Sequence, residues 1–232
     1  MKIAITGHTK GIGKSLFDKW ASHGHDVIGF SRSNGFNVAD PKIRSDIIKE
    51  IIDCDIFINN AYANDAQIEL LKSLIPLWEG TDKQIININS KVSIFGRLNF
   101  QEANVALHPI SENGMTDEKT ETIQHFYESY ANNKIEQVTE LTKKLFLSSP
   151  RILNVICGYA DTPMVNAYKF KDKMMSPNDI ADLIYDLTAW KDRIYIQEIT
   201  IDGIGIDYTK TSYDYDEFYD WIINKYEGDA LQ

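Results

Sequence analysis

The sequence predicts an α/β fold: a three-layer, doubly wound and mostly parallel seven-stranded sheet with helices on both faces. Three observations predict it. Short β-branched runs alternate with amphipathic segments at helical spacing, as expected of repeated βαβ units. The length of 232 residues suits one large core. The hydrophobic fraction of 43% and the charged fraction of 25% are those of an ordinary globular chain, which argues against disordered and fibrous classes.

The apolar runs and the helical periodicities locate the individual elements. The predicted strands are Lys2–Thr6, Asp26–Ser31, Phe36–Val38, Cys54–Asn59, Gln84–Asn89, Arg151–Cys157 and Arg193–Ile201. The predicted helices are Gly11–Ser22, Pro41–Ile52, Asn64–Trp78 and Thr122–Leu147, one after Ser176, and a short C-terminal one that packs Phe218, Trp221 and Ile222 inward.

We expect one domain, residues 1–232, with an insertion at about 95–123. The insertion is rich in Asn, Glu and Thr and has little periodicity. A loop of this length inside a compact domain is a lid over a cleft, a subunit contact or a mobile surface loop, and the sequence leaves these three alternatives open.

The charge balance narrows the choice of partners. The chain has 24 basic and 34 acidic residues, which gives a formal net charge of −10. Such a surface repels polyanions, so neither nucleic acid nor an anionic membrane is expected as a partner. No apolar window approaches the roughly 18 residues that span a bilayer. Any bound phosphate must therefore be held by a local site.

The cysteines and histidines give no sign of a disulfide framework or a metal centre. Cys54 and Cys157 each fall in a strand-like apolar run, which fits a reducing compartment. The five histidines include no His-x-x-x-His pair, so no metal site is predicted. The chain begins with a strand-like run instead of the long apolar region of a signal peptide. We expect a cytoplasmic protein.

A glycine-rich loop follows the first predicted strand and opens the first predicted helix. Glycines in this position allow a tight turn and a close approach of the backbone to a pyrophosphate, whose charge meets the helix N-terminus. The alternative is an ordinary strand-to-helix turn. The loop predicts a dinucleotide site that uses Gly7, Thr9, Lys10, Gly11, Ile12 and Gly13.

The end of the second predicted strand indicates which dinucleotide is bound. An acidic residue there would bond the ribose hydroxyls of NAD, whereas an arginine accommodates the extra phosphate of NADP. Here the strand leads into Ser31 and Arg32, and Lys10 adds a second cation. NADP(H) is predicted as the preferred cofactor, with NAD(H) as the alternative. The other interpretation is that Arg32 and Lys10 are solvated surface charges.

Tyr130 and Lys134 form a Tyr-x-x-x-Lys motif on the long predicted helix. Residues four apart share one helical face, so we expect the Lys134 ammonium to lower the pKa of the phenol from its ordinary value of about 10. Ser90 follows a strand at the carboxyl edge of the sheet, where open α/β sheets bind ligands. The alternative is that Ser90 caps a turn and the other two are surface residues.

From Lys2 to about Gly203 the sequence resembles the short-chain dehydrogenase/reductase family, in its single-domain branch with a Rossmann-like fold. The glycine loop has the spacing of that branch. The family's Asn-Asn-Ala-Gly element looks like Asn59-Asn60-Ala61-Tyr62, and its Pro-Gly motif with the following threonine looks like Cys157-Gly158 and Thr162. The family's serine, tyrosine and lysine fall on Ser90, Tyr130 and Lys134.

The resemblance implies an NADPH-dependent oxidoreductase that reduces a carbonyl or oxidises an alcohol on a small organic substrate. Tyr130 would donate a proton to the carbonyl oxygen, Ser90 would hold that oxygen, and Lys134 would bind the nicotinamide ribose. Asn64 is the nearest candidate for the family's relay asparagine. Because relatives assemble through their long helices, the resemblance also implies a homodimer or homotetramer.

The same resemblance places further residues at the cofactor and marks departures from the family. The implied contacts are Ser31, Asn37, Asn60, Ala61, Gly158 and Thr162. Tyr62 stands in place of a glycine, Cys157 in place of a proline, and Asn37 where an aspartate often contacts adenine. These departures and the insertion motivate a rival hypothesis, an NADP(H)-binding sensor or regulatory protein with little or no catalysis.

Overall fold

Six strands form one parallel sheet in the computed structural model, which describes residues 1–95, 117–144, 150–189, 194–206 and 214–230. The strands are β1 Lys2–Thr6, β2 Asp26–Phe30, β3 Ile56–Asn59, β4 Gln84–Ser90, β5 Arg151–Cys157 and β6 Glu198–Ile201. Their order across the sheet is β2-β1-β3-β4-β5-β6.

Helices cover both faces of this sheet. They are α1 Gly11–Ser22, α2 Pro41–Ile51, α3 Ala66–Leu77, α4 Val92–Phe95, α5 Asp117–Lys144, α6 Pro177–Ala189 and α7 Tyr215–Ala230. The first and sixth helices pack on one face, and the second, third and fifth pack on the other. The prediction of a doubly wound parallel α/β fold is confirmed, with six strands in the described part of the chain instead of seven.

Side chains along each strand alternate between the two faces of the sheet, so the hydrophobic core forms two layers. Ile3 and Ile5 pack with Leu16 and Trp20 of α1, whereas Ala4 between them belongs to the cluster on the opposite face. Successive side chains of a strand point to opposite faces, so an unbroken apolar strand feeds both layers. Burial on both faces is what a parallel sheet requires.

The chain reverses its direction of travel across the sheet at β1. This strand pairs with β2 on one side and with β3 on the other. In open α/β sheets, ligands bind in the crevice outside the carboxyl ends of the strands at such a switch point. The loops that follow β1, β2 and β3 therefore meet where a ligand is expected.

The predicted strand Phe36–Val38 is wrong. The chain leaves β2 through a 3₁₀ turn at Arg32–Asn34, and the backbone N–H of Phe36 donates to Ser31 O at 2.9 Å. The N–H of Ala39 then donates to Asn37 Oδ1 at 3.1 Å. These local turn hydrogen bonds hold the segment as a loop beyond the end of β2.

The long helix begins earlier than predicted, at Asp117 instead of Thr122, so residues 117–123 of the expected insertion are helical. Ile123 is fully buried, which ties this first part of the helix to the fold. Residues 96–116, on which the lid, subunit-contact and mobile-loop alternatives depend, lie outside the described residues. In α7, Phe218 and Ile222 are buried as predicted.

Both cysteines, Cys54 and Cys157, are buried free thiols. Among the described residues, no helix is both long enough and apolar enough to cross a membrane. Within the same ranges, His, Cys, Asp and Glu side chains nowhere form a group of three or more that could hold a metal ion.

Candidate active site

A cavity of about 730 Å³ opens at the carboxyl ends of the strands. Its lining comes from the loops after β1 to β5, from α5 and from α7. The predicted site residues that line it are Gly7, Thr9, Lys10, Gly11, Ile12, Ser31, Arg32, Asn37, Asn60, Ala61, Ser90, Tyr130, Lys134, Gly158 and Thr162. The fold thus brings together residues that are scattered over most of the sequence.

The glycine loop forms one end of the cavity and is shaped by close backbone approach. A Cβ on Gly13 would lie 2.2 Å from the carbonyl oxygen of Gly7, and Gly7 itself has a φ of +73°. Gly13 is buried and is absent from the described lining, so it forms the turn without facing the cavity. Larger residues at either position would disrupt the loop.

The N-terminus of α1 faces this end of the cavity. Its N-cap residue, Lys10, makes no side-chain hydrogen bond to the first turn, and that turn contains no acidic residue. Gly11 and Ile12, the first two residues of the helix, line the cavity. Backbone N–H groups at a helix N-terminus attract anions, so the geometry here suits a phosphate group.

The loop after β3 is fixed to β1 beside the glycine loop. Thr6 Oγ1 accepts hydrogen bonds from the backbone N–H groups of Asn60 and Ala61, both at 3.0 Å. The Asn60 side chain donates to Thr6 O at 3.0 Å. Asn60 and Ala61 therefore form a rigid part of the cavity wall.

The end of β2 presents hydroxyl groups and a cation to the cavity. Ser31 Oγ and Ser33 Oγ lie 2.8 Å apart, and the N–H of Ser31 donates to Asn34 Oδ1 at 2.8 Å. This local network shapes the turn from which Arg32 lines the cavity.

The cavity is cationic although the chain is acidic. Among the described residues that line it there is no Asp or Glu, whereas Lys10, Arg32, Lys91 and Lys134 all contribute. Lys91 forms an ion pair with Asp202. A cleft whose charge opposes the net charge of −10 concentrates anionic ligands at one place.

Tyr130 and Ser90 meet at the other end of the cavity. Ser90 is the last residue of β4, Tyr130 lies on α5, and both side chains line the cavity. Burial raises the pKa of Tyr130 far above its ordinary value, and the neighbouring Ser90 side chain lowers it by a smaller amount. The phenol is therefore fully protonated at neutral pH.

Lys134 is 3% exposed, and its ammonium group is directed into the sheet. Nζ donates to Gln67 Oε1 at 2.6 Å and to Ile88 O at 3.2 Å, and lies 5.6 Å from the centroid of the Tyr130 ring. The prediction that Lys134 lowers the pKa of Tyr130 is wrong in this structure, because desolvation of the phenol outweighs the other influences on it.

The structure does not bring Asn64 to the cavity. Asn64 is exposed, has a φ of +45° and precedes α3. The amide that contacts Lys134 belongs instead to Gln67, which is fully buried in the first turn of α3. Gln67 was not predicted as a site residue from the sequence. It could have been found as a polar residue on the buried, otherwise apolar face of the predicted helix.

Gln67 connects the lysine to a row of polar residues across the sheet, which we call the amide ladder: Asn59, Asn87, Asn154 and Glu198. These four are register partners on β3, β4, β5 and β6. Asn59 Nδ2 donates to Asn87 Oδ1 at 3.1 Å, Asn87 Nδ2 to Asn154 Oδ1 at 3.0 Å, and Asn154 Nδ2 to Glu198 Oε2 at 3.0 Å.

Gln67 and Gln137 join the amide ladder to the ammonium. Asn59 Nδ2 donates to Gln67 O at 2.9 Å, and Gln137 Nε2 donates to Gln67 Oε1 at 3.2 Å. The three asparagines donate in the same direction, toward the Glu198 carboxylate. The acceptor that stabilises the buried ammonium is Gln67 Oε1, which also accepts a hydrogen bond from Gln137.

Aromatic rings make up much of the remaining lining, and the sequence analysis did not assign them to the site. Tyr62 lies edge-on to the Tyr130 ring with a centroid distance of 4.7 Å. The other rings near it are Phe126, Tyr127, Tyr159, Tyr168, Phe218 and Trp221. The tyrosine at position 62, where the family has a glycine, was the one sequence feature that pointed to an aromatic lining.

The raised pKa of Tyr130 predicts that this phenol does not ionise where an exposed tyrosine does, near pH 10. In protein labelled at tyrosine ¹³Cζ, the Tyr130 resonance, assigned by its loss in Tyr130→Phe, should stay at its protonated shift at pH 10. A titration midpoint below pH 10 would show that the positive charge of Lys134 lowers the pKa of Tyr130 by more than burial raises it.

The contact between Lys134 and Gln67 predicts strong coupling in a double-mutant cycle. Gln67→Met and Lys134→Met should each lower the free energy of unfolding, because each leaves a buried polar group without its partner. The double variant should be more stable than the sum of the two losses implies, by at least about 1 kcal/mol. Urea unfolding of the wild type, the two single variants and the double variant measures these free energies.

A second pair between the same two helices is the matched control. Lys72 Nζ lies 3.2 Å from Glu136 Oε1, and both side chains are substantially exposed. Its coupling energy should be below about 0.5 kcal/mol. Equal coupling in the two cycles would contradict the assignment of Lys134 to a buried polar network.

No protein-family model and no curated protein sequence matches the chain. Solved structures match it by shape. The 3-alpha-hydroxysteroid dehydrogenase from Pseudomonas sp. B-0831, complexed with NADH, matches with a TM-score of 0.64 and 20% identity, covering 88% of this chain and 96% of that chain.

Two further structures agree with this match. An alcohol dehydrogenase from the archaeon Thermococcus sibiricus, complexed with 5-hydroxy-NADP, has a TM-score of 0.64 and 15% identity over 89% of this chain and 98% of that chain. A short chain dehydrogenase/reductase family protein has a TM-score of 0.59 and 14% identity over 87% and 95%. The chain therefore has the fold of the short-chain dehydrogenases/reductases.

Proposed function

We propose that the protein is an NADPH-dependent oxidoreductase of the short-chain dehydrogenase/reductase family that acts on a carbonyl or alcohol group of a small organic substrate. One observation carries the proposal. Tyr130 and Ser90 line the same end of a cationic cavity, with Lys134 one helical turn from Tyr130. An acid, a group that holds the reacting oxygen and a fixed cation together constitute a site for carbonyl chemistry.

A dinucleotide fits the residues present. The turn that contains Gly7 leaves the N-terminus of α1 open toward the cavity, with Gly11 and Ile12 available to donate backbone hydrogen bonds to a pyrophosphate. Lys10 and Thr9 lie beside it, and Thr162 contacts the position of Gly11 from the opposite side. Two of the structural neighbours named above were crystallised with NADH or 5-hydroxy-NADP, which supports a nicotinamide cofactor of either type.

NADP(H) is proposed as the preferred cofactor, with NAD(H) as the alternative. Arg32 can fork onto the oxygens of a phosphate, and Ser31 and Ser33 supply hydroxyls next to it. The residues at the end of β2 include no acid that would repel that phosphate. Asn37 lines the same region, where the adenine would lie.

The chain's own residues account for the proton and the orientation of the substrate. When bound, the cofactor supplies or accepts the hydride. Ser90 holds the reacting oxygen, and Tyr130 transfers a proton to it. Burial raises the pKa of Tyr130, so the phenol is a proton donor at neutral pH. This favours the reduction of a carbonyl, because alcohol oxidation would need the phenolate.

Assembly and location complete the proposal. A homodimer or homotetramer in the cytoplasm is consistent with the resemblance and with two buried free thiols. Residues 1–232 are proposed to form one domain. The rival function, a nucleotide-dependent sensor, predicts NADPH binding with no turnover of any carbonyl compound.

Tyr130→Phe should lower kcat by about 10²–10⁴-fold, because it removes the proton donor. It should leave the Kd for NADPH within about twofold, since the substitution deletes only one hydroxyl. NADPH oxidation with a panel of ketones and aldehydes measures turnover, and calorimetry measures binding. Tyr185→Phe, on the distant helix α6, is the matched control and should retain full activity. Full activity in Tyr130→Phe would overturn the assigned chemistry.

Arg32→Ala should weaken NADPH binding by about 10–100-fold, the equivalent of the charge-assisted hydrogen bonds that it removes. The affinity for NADH should be unchanged, because NADH lacks the phosphate that Arg32 would hold. Lys14→Ala is the control, since Lys14 lies in the same region but pairs with Asp18 outside the cavity. Equal weakening of NADPH and NADH would count against the proposed phosphate contact.

A further inference from the structure

Seven aromatic residues line the end of the cavity where Tyr130 lies, and we call them the aromatic wall: Tyr62, Phe126, Tyr127, Tyr159, Tyr168, Phe218 and Trp221. They come from the loop after β3, from α5, from the segment after β5 and from α7. Elements far apart in the sequence therefore place aromatic surface at the same end of one cavity.

Two rings of the aromatic wall, those of Tyr62 and Phe126, pack directly against Tyr130. The Phe126 ring stacks on Tyr130 with a centroid distance of 5.9 Å and an interplanar angle of 10°. The ring of Trp221 meets Phe126 edge-on at 5.7 Å. Tyr62 closes the other side of Tyr130. A substrate carbonyl at Tyr130 would thus have its substituents against ring surface.

Two hydroxyl groups of the aromatic wall pair with each other. Tyr127 Oη and Tyr168 Oη lie 2.5 Å apart. The rings of Tyr159 and Tyr168 pack at 4.9 Å. Because these contacts use the polar atoms and fix the rings, the wall offers a ligand mainly rigid, apolar ring surface.

The two cations near the aromatic wall, Lys91 and Lys134, already have hydrogen-bonding or ion-pair partners within the protein. Lys91 is paired with Asp202, and Lys134 is bonded to Gln67 and to a backbone carbonyl. The other cations in the described lining, Lys10 and Arg32, belong to the glycine loop and the end of β2. A substrate carboxylate at the wall would therefore be desolvated without gaining an uncommitted cation from the described residues.

We propose that the substrate is an uncharged aromatic ketone or aldehyde, whose ring packs on the aromatic wall while its carbonyl oxygen meets Tyr130 and Ser90. This inference rests on the proposed function and names its substrate class. In the reaction, the carbonyl carbon gains a hydride from NADPH and the oxygen gains the proton of Tyr130. The C=O double bond becomes CH–OH, and NADPH is oxidised to NADP⁺.

Three related ligands separate ring character from charge: 2-acetonaphthone, its fully saturated decalin analogue, and 6-acetyl-2-naphthoate, which adds a carboxylate to the same ketone. Calorimetry should be done on the full chain, both alone and saturated with NADP⁺, so that binding is read without turnover. The naphthyl ketone should bind about 3–10-fold more tightly than the saturated ketone, as expected for aromatic pairing. It should bind at least about tenfold more tightly than the carboxylate.

Trp221→Leu should bring the ratio of the Kd values of the saturated ketone and the naphthyl ketone close to one. Tyr185→Leu, whose ring packs against Trp20 away from the cavity, is the control and should keep that preference. If Trp221→Leu does not fold, Tyr159→Leu tests the same wall from the segment after β5. Tighter binding of the carboxylate, or equal binding of the two neutral ketones to the wild type, would overturn the inference.

A parallel assay of NADPH oxidation distinguishes this inference from the function on which it rests. Turnover that prefers charged or saturated carbonyl compounds would contradict the aromatic substrate class and leave the oxidoreductase function standing. Selective binding of the naphthyl ketone without turnover of any carbonyl compound would support the binding class and count against the oxidoreductase.

Discussion

The hydrogen bond between the Lys134 ammonium and the Gln67 side chain connects the Tyr130 end of the cavity to the sheet, because Gln67 also donates to Asn59 O and Ile88 O. A buried cation is costly unless polar groups replace its water, and Gln67 and Ile88 O provide that replacement. Behind Gln67, the amide ladder extends across four strands to Glu198. The position of α5, and with it that of Tyr130, depends on this network.

The amide ladder also explains how a sheet with many buried isoleucines carries a polar row. Asn59, Asn87 and Asn154 occupy register positions directly opposite one another, so each donor faces an acceptor on the next strand. Hydrogen bonds between buried side chains on neighbouring strands specify strand register more strictly than apolar contacts do. The same row of residues therefore contributes both to the alignment of the strands and to the site at their carboxyl ends.

Local motifs could be predicted from the sequence, and contacts across the sheet could not. The glycine loop, the end of β2 and the pair Tyr130 and Lys134 are defined by neighbours in the chain, and all contribute lining residues to one cavity. The role of Gln67 depends on how α3 packs against α5, which spacing does not reveal. The four-residue spacing also suggested a lowered pKa for Tyr130, but tertiary contacts direct the ammonium toward Gln67, and burial of the phenol dominates.

The proposed function requires a bound phosphorylated dinucleotide to lie next to Lys134, whose ammonium group is held by Gln67 and Ile88 O. In protein labelled with ¹⁵N-lysine, Lys134 Nζ, assigned by its loss in Lys134→Met, should give a solvent-protected signal at neutral pH because it is buried and hydrogen-bonded. Saturation with NADP⁺ should shift that signal while leaving the exposed Lys72 unaffected. Saturable binding of NADP⁺ with no change at Lys134 would contradict the account.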